Sequence, residues 1–345
     1  MPKAKKTKTT EPVTPVYKPW ERNELNANSQ GGTEKMVEGL LSRVDPELLS
    51  NFQIIPSRVR ELREDKIRIY WLHDLPGDPE TNHLKDSLSR DRFHKIVYCG
   101  NWQMDQYQSQ LRIPHDQKTC VLETAIEPIT FVPKSKDEIR LIYTSTPQRG
   151  LEILVPVFEE LAKHHDNIVL DVFSSYKIYG WEDADKRFEP LYERCRQHPK
   201  INYHGFAPNE VVREYVQRAH ILAYPSIWLE CNSKSLIEAM SAGAMCVHPN
   251  YGGLVDTSGG LTTMYHWDNT VNNHANLFYS MLSQAVQIVN TESTQNYLQF
   301  VKQYADARYN WNKISAQWTG MLNYLAKDYA GKDLSIKQYV TFNTR

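Results

Sequence analysis

The chain has 345 residues, 41% of them apolar and 23% charged, an ordinary balance for a soluble globular protein. That length exceeds one ordinary core and predicts two domains of roughly 150 residues each. A net charge of -1 and a pI near 6.9 exclude a global pull toward nucleic acid or anionic membrane. No apolar run approaches the roughly 18–20 residues that span a bilayer.

The basic N-terminus, Met1-Pro-Lys-Ala-Lys-Lys-Thr-Lys, lacks the apolar core of a secretory signal. It reads as a solubilising tail, with a weak tether to a polyanion as the sharper alternative. The five cysteines form no Cys-x-x-Cys pair, which predicts a reduced, cytoplasmic compartment without disulfides or a zinc site.

Residues 1–28 form a polar, proline-broken lead. Ser29-Gln-Gly-Gly-Thr-Glu34 then runs into Met36, Val37, Leu40, Leu41 and Val44, which share one face of a helix. Ile67–Trp71 and Lys95–Tyr98 read as buried strands, Trp102–Leu111 as a helix, and Lys118–Leu122 as a further strand. A proline-rich stretch around Pro128 and Pro133 separates a unit at 29–134 from one at 135–308.

In that second unit, strands are expected at 139–143, 168–173, around 201–204, at 221–224 and at 245–247, with helices between them. From about Asn273 the pattern is helical, and 309–345 forms a closing helix and tail. Strands alternating with helices imply parallel sheets covered on both faces, with a ligand cleft at the carboxyl ends of the strands.

Glu230 and Glu238 bracket Cys231-Asn-Ser-Lys-Ser235, after the apolar run Ile221–Leu229 and before the Ala-Met-Ser-Ala-Gly243 helix end. Carboxylates beside free helix-terminal amides suit a phosphorylated ligand carrying vicinal hydroxyls. The competing reading is local, because Ser235-Leu-Ile-Glu238 also fits a capping box. Gly31-Gly32 opens a helix and permits close backbone approach. Arg149 stands at a strand-to-helix loop, where its donor fork suits a diphosphate. His73, followed by Asp74, stands after a strand, where a histidine reaches a sugar hydroxyl or a reacting oxygen. Asp183-Ala-Asp185 is read as a helix N-cap, and His164-His165 has no partner cluster, so no metal is expected. Hydrolase elbow, Walker and dinucleotide fingerprints are absent.

In this order and spacing, the set from Gly31-Gly32 through Arg149-Gly150, His204-Gly-Phe206, Pro225-Ser226, Glu230…Glu238 and Asn250-Tyr-Gly-Gly253 resembles the family 4 glycosyltransferases (glycosyltransferase group 1). The likeness covers most of residues 29–328 and includes Asn310-Trp-Asn-Lys-Ile314, which is similar to the family's closing helix. It implies a GT-B architecture, two Rossmann-like domains facing across a cleft, and a retaining, metal-independent transfer from a nucleotide-diphosphate sugar. A UDP-sugar is the first candidate donor. By the same resemblance, Glu238 binds the ribose, Glu230 contacts the donor sugar, Arg149 holds the diphosphate, and Gly31 and Gly32 approach the phosphates. His73 then lies near the transferred sugar, and Asn232, Ser233, Lys234 and Ser235 line the phosphate and sugar.

Three departures stand out. The family's second basic residue before Arg149 is missing, which leaves Lys234 as its substitute. Asn232-Ser233 replaces the usual Phe-Gly, and no strong apolar strand precedes Gly31. The acceptor is unread: a glycan, a small molecule or a hydroxymethylated base in DNA all remain open, the last through Trp71, Tyr98, Trp102 and Tyr107. A nucleotide-sugar epimerase and a non-catalytic binding module are the alternatives on the same architecture.

Overall fold

The computed structural model of the protein describes residues 29–336. The degenerate strand expected before Gly31 lies outside the described residues. Helix α1 (Gly32–Leu41) and the short α2 (Pro46–Leu49) lead into β1 (Phe52–Pro56). Strand β2 (Ile67–Leu72), the short α3 (Ser87–Arg90), β3 (Lys95–Tyr98), α4 (Asn101–Leu111) and β4 (Thr119–Val121) follow. The four strands form a parallel sheet in sequential order.

Sequence patterning missed β1 because its five residues, Phe-Gln-Ile-Ile-Pro, break the apolar run with a glutamine. All five are buried. The Gln53 side chain meets the burial cost locally, donating to the Glu61 carbonyl (2.7 Å) and accepting from the Arg63 amide (2.8 Å).

The second sheet is built by β5 (Ile139–Thr144), α5 (Leu151–Leu161), β6 (Ile168–Phe173), α6 (Glu189–Gln197), β7 (Ile201–Tyr203), α7 (Asn209–Arg218), β8 (Ile221–Ala223), α8 (Lys234–Ser241), β9 (Met245–Pro249), α9 (Leu254–Ser258) and β10 (Thr263–Tyr265). Its six parallel strands lie in the order β10-β9-β8-β5-β6-β7. The chain leaves β5 toward β6 on one side, whereas β8 pairs with β5 on the other and leads away to β9. This reversal is a topological switch point, where a crevice opens beyond the strand ends. Strand β10, absent from the sequence pattern, is a three-residue edge strand, too short for an alternation to register.

Three long helices close the chain: α10 (Val271–Ile288), α11 (Glu292–Tyr309) and α12 (Trp311–Asp328). Trp311, Ile314, Trp318, Leu322 and Leu325 of α12 are buried in the first domain's core with Met36, Val37, Phe52 and Trp71. The Trp71 and Trp318 rings lie 4.7 Å apart, edge to face. The two crossings between domains run side by side, the Ile126 amide donating to Tyr309 O (2.8 Å) and the Trp311 amide to Ile126 O (3.2 Å). Asp256 of α9 caps α4 across the interface, accepting from the Asn101 and Trp102 amides at 2.8 and 3.2 Å. Trp71, Tyr98 and Tyr107 are fully buried, so none of the three is available to stack on a base. The five cysteines are all free thiols.

Candidate active site

A cleft of about 1320 Å³ opens between the two domains, at the carboxyl ends of both sheets. The switch point explains its charged centre. Arg149 follows β5 and Glu230 follows β8, and because β5 and β8 are neighbours, residues 81 positions apart in sequence meet at one sheet edge. Arg149 Nη1 donates to both Glu230 carboxylate oxygens, at 2.8 and 2.9 Å, and Nη2 donates to Tyr179 Oη at 3.3 Å. Tyr224 Oη adds a short hydrogen bond to Glu230 Oε1. Burial disfavours the guanidinium charge, but Glu230, with Tyr179 and Tyr224, raises the Arg149 pKa well above its ordinary value. Arg149 is therefore a fixed cation.

The loop carrying Glu230 is shaped by Gly253. A Cβ there would lie 2.3 Å from Cys231 O and 2.6 Å from Glu230 O, and the Gly253 amide donates to Glu230 O at 2.8 Å. The Asn250-Tyr-Gly-Gly253 segment thus serves as a cradle for the acidic loop. Hydrogen bonding with the Cys99 thiol, then burial, raises the Cys231 thiol well above its ordinary pKa, and its Sγ donates to His73 O at 3.3 Å.

The capping-box reading of Ser235 and Glu238 fails. The N-cap of α8 is Ser233, whose Oγ accepts from the Leu236 amide at 3.4 Å. Glu238 lies within the helix and is 5% exposed, and its Oε1 accepts from Arg213 Nη1 (2.6 Å) and Lys234 Nζ (2.8 Å). Two cations hold one oxygen, which orients the carboxylate. Lys234 is thereby placed on Glu238, with Asn209 Oδ1 at 3.4 Å, beside Arg213, which carried no sequence signal. Ser235 Oγ ties α8 to β5 by donating to Thr144 O at 2.7 Å.

On the opposite wall, Gly31 is the N-cap of α1 without a side-chain cap, and the Gln30 amide donates to Ile178 O of the second domain at 2.7 Å. A Cβ on Gly31 would stand 2.8 Å from a Tyr179 ring carbon, whereas one on Gly32 would meet nothing within 4 Å. His73 follows β2. Its amide donates to Ser57 Oγ (3.1 Å), and its ring packs 4.6 Å from that of Trp71. Burial pushes its imidazole down to about 3, so the ring is neutral.

Asp185 is not the expected helix N-cap. It accepts from Ser175 Oγ (2.6 Å), the Tyr176 amide (2.8 Å) and Tyr192 Oη (2.7 Å), and so pins the turn that presents Tyr179. Asp183 forms an exposed ion pair with Lys186.

Buried polar atoms without a hydrogen-bond partner mark this cleft. They belong to His73 (Nε2), Thr146, Gln148, Arg149 (Nε), Ser174 and Asn232 (both side-chain heteroatoms), all of which line it. Such groups are costly unless a ligand or water completes them. Thr146, Gln148, Ser174 and Tyr179 were not singled out from sequence, because hydroxyl and amide residues in loops carry no periodic signal.

Residues 126–277 match the model of the glycosyl transferases group 1 family, and the two parallel-sheet domains have a GT-B fold. Similar solved structures include a glycosyltransferase from Rickettsia africae ESF-5, at 17% identity and a TM-score of 0.63, covering 88% of this chain and 84% of that one. A sucrose-phosphate synthase from Thermosynechococcus elongatus gives 15% identity and a TM-score of 0.58, over 76% and 69% of the two chains. Anabaena HepE in complex with UDP-glucose gives 14% and 0.54, over 75% and 72%. At these identities the likeness is one of fold. No curated protein matches the sequence.

Proposed function

We propose that the protein is a retaining, metal-independent glycosyltransferase of family 4 that takes a nucleotide-diphosphate sugar, with a UDP-sugar as the first candidate. The observation that carries the reading is the Arg149–Glu230 pair at the switch point, ringed by unpartnered polar atoms at the junction of α1 and α8. In this reading Glu238, oriented by Arg213 and Lys234, accepts from the ribose diol. The α1 amides and the free Nε of Arg149 meet the diphosphate, and Asn232 completes its bonds on phosphate or sugar. The solved complex of HepE with UDP-glucose, on a similar fold, suggests the uridine nucleotide as the first probe.

The state of Glu230 supports a same-face reaction over a covalent glycosyl–enzyme intermediate. Arg149 engages both of its oxygens and Tyr224 engages one, which leaves a poor nucleophile. The bond from the anomeric carbon to the diphosphate breaks, with its electron pair leaving on the diphosphate. The acceptor oxygen bonds the anomeric carbon on that face, and its proton passes to a diphosphate oxygen. Charge then accumulates on the leaving group, where a cation and fixed amides stabilise it without reorganising.

Calorimetry with UDP, followed by assignment of the product's anomeric configuration by NMR, tests this. UDP at a hundredfold excess over Kd should stabilise the fold by about 2.7 kcal/mol. A protein indifferent to every nucleotide sugar, or a product of inverted configuration, counts against the reading.

A further inference from the structure

We propose that Asp256, held by Arg308, is a positioning residue for the transfer: it clamps α4 of the first domain to α9 of the second and so sets the Glu230 loop against the opposite wall. The role in transfer rests on the glycosyltransferase reading above, whereas the clamp rests on contacts alone.

The first turn of α4 presents its free amides to the second domain. A serine, threonine, asparagine or aspartate at position 100 would cap them locally. The chain carries Gly100 there instead, with no side-chain cap of its own. The Asp256 carboxylate takes that place from the other domain, its Oδ2 accepting from the Asn101 and Trp102 amides at 2.8 and 3.2 Å. A negative charge suits this end of a helix. A local cap would serve the first domain equally well. A cap from across the seam makes the helix end depend on how the two domains meet.

Gly100 also keeps the seam tight. A Cβ there would lie 3.1 Å from Cys231 O, 3.3 Å from Asp256 Oδ2 and 3.4 Å from Asn232 Nδ2. All three groups belong to the second domain, and two of them lie in the loop that carries Glu230.

Arg308 fixes the carboxylate from behind. Its Nη2 donates to Asp256 Oδ1 (3.1 Å), its Nη1 to Asp256 O (3.0 Å) and its Nε to Glu123 Oε1 (2.9 Å). Glu123 lies just before Ile126 on the outgoing crossing between domains, and Arg308 just before Tyr309 on the returning one. The three side chains are 14–18% exposed, so these charges are answered chiefly by one another.

From Asp256 the contacts run on to the charged centre of the cleft. The next residue, Thr257, accepts the Ser233 amide on its Oγ1 (3.3 Å), donates that hydroxyl to Gly253 O (2.7 Å), and accepts from Tyr309 Oη on its carbonyl (2.7 Å). The Gly253 amide in turn holds Glu230 O (2.8 Å). One short helix therefore carries both the clamp and the supports of the Glu230–Ser233 loop. With the clamp made, Cys231 Sγ reaches His73 O on the first-domain wall (3.3 Å).

The test follows the full chain by small-angle X-ray scattering, with and without saturating UDP, beside calorimetric titration of UDP. The parent should stay compact in both states. Asp256→Ala should expand without UDP and become compact again at saturation, since UDP is met from both walls only in the clamped form. Its Kd for UDP should rise about tenfold, as for a closed form populated about a tenth of the time. Asp256→Asn keeps an oxygen for the α4 amides but turns its NH2 on Arg308, and should raise the Kd about threefold. Arg308→Gln leaves the cap without its support; it should behave likewise and serves if Asp256→Ala disturbs folding. Unchanged scattering in all three variants, with Kd within about twofold of the parent, overturns the proposal. So does an expansion that saturating UDP fails to reverse. A parent that fails to bind UDP overturns the donor reading and the positioning role with it, while the ligand-free scattering still decides the clamp.

Discussion

The two walls of the cleft differ in how much paired charge they carry. The charges of the second-domain wall are already paired: Arg149 holds Glu230, Arg213 and Lys234 hold Glu238, and Gly253 packs beneath the loop that carries Glu230. The first-domain wall is sparse, with a bare helix N-terminus at Gly31, a neutral His73 and a carboxyl at Asp74 that forms no ion pair among the described residues. The contrast is one of fixed charge: paired charges hold the second-domain wall, which also carries Thr146, Gln148, Arg149 Nε, Ser174 and Asn232 with hydrogen bonds still to be made, whereas the first-domain wall offers His73 Nε2. Preorganised charge is the costly part to build and the strongest catalytic device once built.

Breaking the charged wall should have the largest effect. Arg149→Ala removes the cation and leaves Glu230 buried beside Tyr224. A loss of about a thousandfold in kcat/KM, roughly 4 kcal/mol, is expected from steady-state rates, with weakened UDP binding by calorimetry. Gly253→Ala attacks the same wall from beneath. With the new Cβ 2.3 Å from a backbone oxygen, the acidic loop must shift, and denaturant unfolding should show a loss of about 2–3 kcal/mol.

On the sparse wall the expected signature is one of protonation. His73 has a folded pKa of about 3 against an ordinary 6.5, so below 6.5 the unfolded chain takes up the proton that the folded one refuses. Stability carried by neutral His73 is complete above about pH 6.5 and falls as pH drops toward 3, by up to about 1.4 kcal/mol per unit. His83 and His248, both lowered to about 4 by burial, contribute to the same window, so the comparison is with His73→Asn. That variant should flatten the acid slope by about one proton.

The smallest effect on the fold separates the two glycines at the α1 terminus. Gly32→Ala places a methyl in open space and should raise stability by about 0.5 kcal/mol. UDP affinity should nonetheless fall severalfold, because the methyl occupies room on the phosphate side. An unchanged Kd would place the diphosphate elsewhere.

Much of the second domain was legible in the sequence because its central strands are short, apolar and bounded by helices with clear faces. The pair Glu230 and Glu238 was legible because strand, acidic loop and helix occur in one local stretch. In the first domain, β1 hid its glutamine among buried residues, and Gln53 is tolerable there through bonds to Glu61 and Arg63 that no periodicity announces. The capping-box alternative for Glu238 was equally local, and it failed because Ser233, two positions earlier, took the cap.

By itself, then, the sequence determined the alternation of strands and helices, the restart after the proline-rich stretch and the residue types at the cleft. These follow from side-chain periodicity and backbone preference, which act over a few residues. Tertiary structure decided that Arg149 lies on Glu230 and Arg213 on Glu238, that α12 completes the first domain's core, and that Ser57 accepts from the His73 amide. Those outcomes depend on strand order and on burial of charge, and a charge finds its counter-ion through space, where distance along the chain carries no information.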